Sequence, residues 1–479
     1  MLLTASRNIS FLFLLLFLFF FISCDSSSKD SGSVDFDTVN TLDAIKKRGK
    51  LIVITDFNSV DYFIYKGQPL GFNYELIKKF AEHIGVSLEI RTNYNLKNTF
   101  RSLQDDECDI LAMGLTITKE RTEFLQFTLP IMQTKQVLVQ RKPEDWQKMD
   151  RRKLESQLIR STLELANKHI VVEANSSYCD RLSSLSQEIG DTIRYLGSSE
   201  FLTEDLIQQV AEGRINFTVS DQHIALVAQT YYPNIDIATP ISFEQNLAWA
   251  VKKGSNQLLD TINGWLKDYK ASKQYVFLYA KYFKSSRRKE IAKSEYNSFT
   301  GGKISVYDKF LKEQSVIVGW DWRLIASLMY SESRFNPKAK SWAGAFGLMQ
   351  LMPVTANKYG VGEESSPQSQ IIAGIKYLKW LDKYFSKEIP DSTERINFVL
   401  ASYNAGAGHV EDARALAKKY GKDPNVWFDN VDYFILQKSK PEFYKDAVVK
   451  YGYLRGAEPY RYVSEIVDRY NNYKNLIKA

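Results

Sequence analysis

Leu324-Ile325-Ala326-Ser327-Leu328-Met329-Tyr330-Ser331-Glu332-Ser333 is the stretch on which the reading of this chain turns. Leu324, Ile325, Leu328 and Met329 recur at helical spacing and mark one apolar face. Glu332 follows Leu328 by four residues and Ile325 by seven, so it continues that face. A carboxylate on an apolar stripe is either paired or used. Burial there disfavours the charged form and raises the pKa, which suits a general acid near neutral pH. Taken alone, the pattern also fits a structural glutamate at the frayed end of a core helix.

The residues downstream decide between the two. Gly344-Ala345-Phe346-Gly347-Leu348-Met349-Gln350-Leu351-Met352-Pro353 comes first, then Thr355-Ala356, then Ala401-Ser402-Tyr403-Asn404-Ala405-Gly406-Ala407-Gly408. Near the end stands Gly452-Tyr453-Leu454-Arg455-Gly456-Ala457-Glu458-Pro459-Tyr460-Arg461-Tyr462-Val463. Each piece has a bland reading: the glycines as turn residues, Met349 and Tyr403 as core, Tyr462 as one of 28 tyrosines. A Glu-Ser pair, a Gly-Leu-Met-Gln segment, a Tyr-Asn-Ala-Gly segment and a late Glu-x-x-x-Tyr, in that order, resemble the soluble-lytic-transglycosylase (SLT) family of lysozyme-like folds. The resemblance covers residues 304–479. The last segment, with Asp412-Ala413-Arg414-Ala415-Leu416, looks like the membrane-bound lytic murein transglycosylase F group.

The resemblance implies a mainly helical domain with a wide groove and one catalytic carboxylate, Glu332. Most glycosidases use two. Here Asp321 lies at the opposite end of the Glu332 helix, and Glu363-Glu364 sit in a polar loop. In the resembled family one glutamate protonates the glycosidic oxygen leaving muramic-acid C1, while the substrate's acetamido group shields the cationic centre. The carboxylate then takes the proton of the C6 hydroxyl of the same sugar, closing a 1,6-anhydro ring without water. The implied substrate-binding set is Ser333, Ser341, Met349, Gln350, Tyr403, Asn404, Glu458 and Tyr462. Ser341 would hydrogen-bond near the reacting sugar, Met349 and Gln350 would line the groove, and Tyr403, Asn404 and Tyr462 would hold the substrate or the glutamate, with Glu458 behind them.

With 479 residues, 44% of them hydrophobic and 25% charged, the chain has a globular composition and room for several domains. Its net charge of +7 is scattered, without a basic stripe carrying interleaved aromatics, so no nucleic-acid partner is expected. Four dispersed histidines offer no metal-ligand spacing, and neither a metal nor a cofactor is expected. Arg7 and the twelve-residue apolar run Phe11 to Ile22 read as an export signal, too short to span a bilayer comfortably. Ile22-Ser23-Cys24-Asp25, followed by a polar stretch, resembles a bacterial lipoprotein processing site, although Phe21 stands where that pattern has Leu. Residues 1–24 are then a lipoprotein-type signal peptide and 25–41 a polar tether. Lipidated Cys24 would anchor the protein to a membrane from the periplasmic side. Asp25 resembles an inner-membrane retention signal of some bacteria, but the resembled enzymes favour the outer membrane.

Residues 42–283 alternate strands and amphipathic helices, which argues for an α/β architecture with helices on both sheet faces. Leu51-Ile54, Asp109-Met113, Val137-Val139, Ile170-Val172 and Phe217-Val219 read as strands, and Leu76, Ile77, Phe80, Ala81 and Ile84 as a helical stripe. Gly71-Phe72-Asn73-Tyr74-Glu75-Leu76, Cys108-Asp109-Ile110-Leu111-Ala112-Met113-Gly114-Leu115-Thr116-Ile117-Thr118-Lys119-Glu120-Arg121 and Phe127-Thr128-Leu129-Pro130-Ile131 resemble family 3 extracytoplasmic solute-binding proteins. The resemblance implies a periplasmic-binding-protein-like domain of two lobes, 42–140 plus 240–283 and 141–239. Thr116 and Arg121 would grip a ligand carboxylate and Asp221 the ligand amine, so an amino-acid- or peptide-like ligand is expected. Cys108 and Cys179 fall in different lobes, and no disulfide between them is expected. The charged segment Trp146 to Lys168 reads as an insertion, and 284–303 as a basic, Gly-ended linker.

The fold class expected is therefore multidomain: an N-terminal α/β two-lobed binding-protein-like domain followed by a mainly α lysozyme-like (SLT) domain. The function expected is an exported murein lytic transglycosylase acting on peptidoglycan glycan strands and tuned by a ligand of the first domain. Two alternatives stand beside it. One is a water-using muramidase on the same fold; the other is a receptor lipoprotein with a vestigial enzyme domain.

Overall fold

The computed structural model describes residues 42–92, 95–285, 288–299 and 301–478. The signal segment, the tether and Cys24 lie outside the described residues. From Lys50 the chain lays down β1 (Lys50–Thr55), the hairpin of β2 (Phe63–Tyr65) and β3 (Gln68–Leu70), then β4 (Ser87–Thr92), β5 (Ile110–Thr116), β6 (Leu125–Phe127) and β7 (Met132–Thr134). There follow β8 (Gln136–Arg141), β9 (His169–Glu173), β10 (Arg194–Ser198), β11 (Phe217–Asp221), β12 (Ile235–Pro240) and β13 (Gln245–Lys252).

One sheet of the first domain has the order β4-β1-β5-β13-β6, with β7 also on β13. Its β1 is parallel to β4 and β5, and β13 is antiparallel to β5. The second lobe contains the antiparallel sheet β11-β8-β12 and the parallel pair β9–β10. Helix Phe72–Ile84 covers the first sheet through Leu76, Ile77 and Phe80, which are fully buried, and ends at Gly85 in the left-handed conformation. The chain crosses between the lobes after β7 and after β12. Strand β8 thus belongs to the second lobe, five residues earlier than the expected lobe boundary at 140. Val137-Val139 is buried on both faces, and such a run announces a strand without naming its sheet. Cys108 lies in the first lobe and Cys179 in the second, and they are not bridged.

The charged segment after β8 is a series of short turns, Trp146–Lys148, Arg151–Glu155 and Thr162–Leu165. The stretch read as a linker is not a loose connection. It contains helix Arg288–Lys293, and its next residues lie along the β2–β3 hairpin: Ser298 N donates to Ile64 O at 2.8 Å and Lys66 N to Tyr296 O at 3.0 Å. Asn297 and Ser298 are buried there. Polar composition suggested exposure, but hydrogen bonds to an open hairpin edge account for the polar groups instead.

The second domain is helical. Its main elements are Asp308–Gln314, Trp322–Ser333, Pro353–Lys358, Pro367–Phe385, Ser392–Ala405, Ala407–Lys419, Asp432–Gln437 and Ala457–Leu476. Asp321 caps the Trp322–Ser333 helix by accepting from Arg323 N at 2.9 Å. Ile371, Ile375, Leu378, Leu381 and Phe385 form the buried stripe of the 367–385 helix. Gly406, at φ 89°, ends one helix and opens the next. Among the described residues no helix is long and apolar enough to cross a membrane.

The last helix joins the two domains. It runs antiparallel to Trp322–Ser333: Tyr462 meets Glu332, Ser327 Oγ donates to Ile466 O at 2.8 Å, and Arg323 Nη1 to Ile477 O at 2.7 Å. Its final turns reach the first domain, where Tyr473 OH donates to Gly67 O at 2.6 Å, Asn475 Nδ2 to Ile90 O at 3.0 Å, and Tyr62 OH to Asn472. Lys66-Gly67 is a two-residue hairpin turn with φ of 49° and 79°, the primed geometry that glycine favours. A Cβ on Gly67 would lie 2.6 Å from Phe335, 2.8 Å from Tyr330 and 2.9 Å from the Tyr473 hydroxyl. Gly67→Ala is therefore expected to destabilise the protein by roughly 1–3 kcal/mol, from overpacking added to left-handed strain. Gly49→Ala is the control, because Gly49 has φ 69° with nothing within 4 Å of a Cβ. Denaturant titration of both variants checks it; equal losses would mean that only backbone strain matters.

Candidate active site

Glu332 lies in the last turn of the Trp322–Ser333 helix, half-buried, and Tyr462 donates its hydroxyl to Oε1. Burial pushes the Glu332 pKa up to about 7. The Tyr462 hydrogen bond opposes that rise and the charge of Glu458 adds to it. No lysine or arginine is ion-paired to Glu332 among the described residues, so desolvation outweighs the one neutral donor and favours the acid form. Glu458 and Tyr462, one helical turn apart, project from the same face of the Ala457–Leu476 helix. Tyr403 is close enough for the charge of Glu332 to raise its pKa further, after burial, so both tyrosines remain neutral donors. Two other carboxylates of the domain are engaged elsewhere, Asp321 with Arg323 at 2.6 Å and Glu363 with Lys340.

Gly347-Leu348-Met349-Gln350 is a backbone cradle beside Glu332. Gln370 Oε1 accepts from Leu348 N at 2.8 Å, Ser333 Oγ donates to Leu348 O at 2.8 Å, and Tyr403 OH donates to Met349 O at 2.7 Å. Gln350, at φ 46°, donates through Nε2 to Gly347 O at 2.8 Å and Ala339 O at 3.0 Å. Gly347 is at φ 76°, and a Cβ there would lie 2.4 Å from Gln370. The Met349 side chain is buried against Gly374. Of the residues assigned to substrate, Ser333, Met349 and Gln350 thus spend their side chains on shaping and packing this loop, and Ser333 ties it to the Trp322–Ser333 helix. Ser341 accepts from Ala345 N at 3.0 Å in the adjoining turn. Asn404 is half-buried in the turn before Gly406, and Glu458 is exposed.

The sequence reading missed Gln370, which is 4% exposed and pins the loop, and the aromatic wall beyond Tyr403. Tyr377 lies 5.2 Å from Tyr403 and stacks on Trp380 at 5.9 Å and 13°. Trp380 and Tyr384 are partly exposed. Their spacing was a usable signal: 377, 380 and 384 form a second stripe on the 367–385 helix, offset from the apolar one. Planar faces of this kind suit the C–H edges of sugars.

In the first domain, Thr116, Arg121 and Asp221 line one cleft between the lobes. Arg121 is not a solvated helix-start charge; it is 6% exposed and donates to Thr116 O at 3.1 Å and to Asn175 O at 3.4 Å, across the cleft. Ser177 donates to Thr116 Oγ1 at 3.3 Å, and Ser59 N to Glu204 at 3.1 Å, so the two lobes are hydrogen-bonded together. Among the described residues no group of His, Cys, Asp and Glu is arranged to hold a metal ion.

Residues 310–426 match the transglycosylase SLT domain family, and residues 51–285 match the bacterial extracellular solute-binding proteins, family 3. The membrane-bound lytic murein transglycosylase F of Desulfosudis oleivorans is 35% identical over 437 residues, covering 91% of this chain and 92% of that protein. The protein of the same name from Stutzerimonas stutzeri is 33% identical over 432 residues, covering 89% and 85%. Among solved structures, the P235GK mutant of ArgBP from T. maritima is similar at 25% identity and a TM-score of 0.43, covering 51% of this chain and 99% of that one. With this identity sustained across both domains, the chain belongs to the membrane-bound lytic murein transglycosylase F family.

Proposed function

We propose that this chain is an exported murein lytic transglycosylase that cleaves the β-1,4 bond between N-acetylmuramic acid and N-acetylglucosamine and leaves 1,6-anhydro-muramic ends. The observation that carries the reading is Glu332: one glutamate on an apolar helix face, raised to about 7 by burial and held by a neutral donor. Such a group can be acid first and base second. Glu332 gives its proton to the glycosidic oxygen as the bond from C1 breaks. The carboxylate so formed takes the proton of the C6 hydroxyl as O6 bonds to C1. The enzyme returns to its starting protonation state and no water is consumed.

The relatives' name, membrane-bound, supports a periplasmic, membrane-associated protein. Lipidation at Cys24 is the proposed anchor, with the outer membrane the proposed site. The first domain is proposed to bind an amino-acid- or peptide-like ligand through Thr116, Arg121 and Asp221 and to tune the enzyme. The packing of Tyr330 and Phe335, which flank Glu332, on the Gly67 turn supports that tuning. Saturating the cleft is expected to change murein cleavage at least about twofold, within the range of ordinary allosteric coupling. A ligand that demonstrably binds yet leaves the rate unchanged removes the tuning.

Product mass spectrometry of purified murein tests the chemistry. Wild type is expected to release anhydro-muropeptides, and Glu332→Gln to lose about 10²–10⁴ in rate, the usual share of a general acid. Reducing-end products would establish hydrolysis instead, with Glu458 the first candidate for a base.

Because the acid form of Glu332 is required, cleavage should fall as pH rises through about 7. Tyr462→Phe removes a bond that lowers the Glu332 pKa, so the alkaline limb should move up. Glu458→Gln removes a charge that raises it, so the limb should move down. Profiles of kcat/KM for the two variants check this; shifts in one common direction would disprove the assignment.

A further inference from the structure

We propose that Trp342 is a glycan-stacking residue, an indole held out on a rigid hairpin beside the active site to take a sugar ring of the murein strand away from the bond being cut. The proposal rests on reading the helical domain as a murein-cleaving enzyme and adds a second place at which it holds the strand.

Of the eight tryptophans, Trp342 is the most exposed, at 99%, and Trp380 of the aromatic wall follows at 44%. Tryptophan is highly buried on average, because its large ring removes much apolar area from water when it packs. An indole with almost no contact to its own chain contributes next to nothing to folding and leaves both faces for another molecule.

The backbone beneath it is fixed. Lys340 pairs with Phe346, and Phe346 with Leu351, as antiparallel bridges. Ser341 N donates to Ala345 O at 2.9 Å, and Gly347 N to Ala339 O at 2.8 Å. The tip is the four-residue turn Ser341–Gly344, where Gly344 N donates to Ser341 O at 3.1 Å and Ala345 N to Ser341 Oγ at 3.0 Å. Lys340 is also ion-paired to Glu363. Trp342 is therefore presented in place, and binding to it costs little ordering of the loop.

The hairpin grows out of the cradle beside Glu332. Leu348, next to its base at Gly347, accepts from Ser333 Oγ at 2.8 Å at the end of the Glu332 helix. Three residues separate the Ala339–Gly347 rung from Trp342, about 10 Å at the rise of an extended strand. Tyr403, with the aromatic wall behind it, meets the same loop at Met349. A murein strand crossing this loop extends beyond the two sugars that react, and the indole offers one of the outlying rings a planar face for its C–H edge. At that remove Trp342 holds substrate and transition state alike, so its loss falls on KM and not on kcat.

Steady-state cleavage of purified murein by Trp342→Ala and Trp342→Tyr, beside sedimentation with murein of the same variants in a Glu332→Gln background, tests this. Trp342→Ala is expected to raise KM about three- to tenfold and to weaken murein binding by a similar factor, the range that an aromatic contact supplies, while Trp342→Tyr keeps most of the wild-type value. The denaturation midpoint of Trp342→Ala should match wild type, whereas a structural role would lower it. KM and binding unchanged in Trp342→Ala, or a loss in kcat alone, overturns the proposal and leaves the transglycosylase reading standing. Unchanged murein binding with weakened binding to phosphatidylglycerol vesicles overturns it in favour of a membrane contact. If wild type binds murein without cleaving it, the transglycosylase reading falls and the binding comparison alone decides on Trp342. Wild type that neither binds nor cleaves murein overturns both.

Discussion

The packing of the Ala457–Leu476 helix along the Trp322–Ser333 helix is the contact on which both halves of the molecule depend. Near its start, this helix presents Tyr462 and the charge of Glu458 to Glu332. Near its end, Tyr473, Asn472 and Asn475 bond to the first domain. One rigid element therefore sets the electrostatics of Glu332 and fixes the position of the binding-protein-like domain. Arg469 reinforces it, donating to Ser331 Oγ at 2.7 Å and lying 4.6 Å from the centre of the Tyr330 ring. Residues that flank Glu332 in sequence thus touch the shared helix on one side and the Gly67 turn on the other.

Burial raises carboxylates at both sites, but with different consequences. At Glu332 the raised pKa supplies an acid near neutral pH at some expense in stability. The folded state holds its proton up to about 7 whereas an unfolded glutamate releases it near 4.5, so this group's contribution to stability declines as pH rises between those values. A lysine or arginine at that place would remove the penalty and the acid together. In the cleft, Arg121 is present but outnumbered, and it makes its hydrogen bonds to carbonyl oxygens.

Much of this was legible in the sequence, because apolar periodicity is local. The stripes at 324–329, 371–385 and 396–403 all became helices, and Leu51-Ile54 and Asp109-Met113 became buried strands. Side-chain roles were less legible, since a motif residue and the atom it serves lie in different elements. Ser333, Met349 and Gln350 belong to the motif because a sharply turned loop needs their bonds and volume, with Gln370 from another helix completing the set. Strand β8 could be recognised but not assigned to a lobe, because pairing partners nearly 100 residues away decide that. The run 294–299 looked like a linker for a similar reason: the hairpin edge it covers is more than 200 residues earlier.

Lys438 makes the same point about distance. It is 0% exposed, and its Nζ meets Asp412 at 2.6 Å and His409 Nδ1 at 3.0 Å. A buried ion pair of this kind brings little net stability, because desolvation offsets the attraction. Its contribution is geometric. The Asp412 carboxylate also accepts from Lys450 N at 2.8 Å and Tyr451 N at 2.9 Å, and Leu454 N donates to Lys438 O at 3.2 Å. Gly408 makes room for the Tyr451 ring, and Gly456 passes against Ile435 O where a Cβ would lie 1.8 Å away. The loop so pinned leads straight into the Ala457–Leu476 helix, so the buried pair sets the angle at which that helix begins. A helix turns by about 100° per residue, so a one-residue slip at this entrance would carry Glu458 and Tyr462 off the face that meets Glu332. The Asp412 segment is thus tied to Glu332 through the loop it anchors, without touching it.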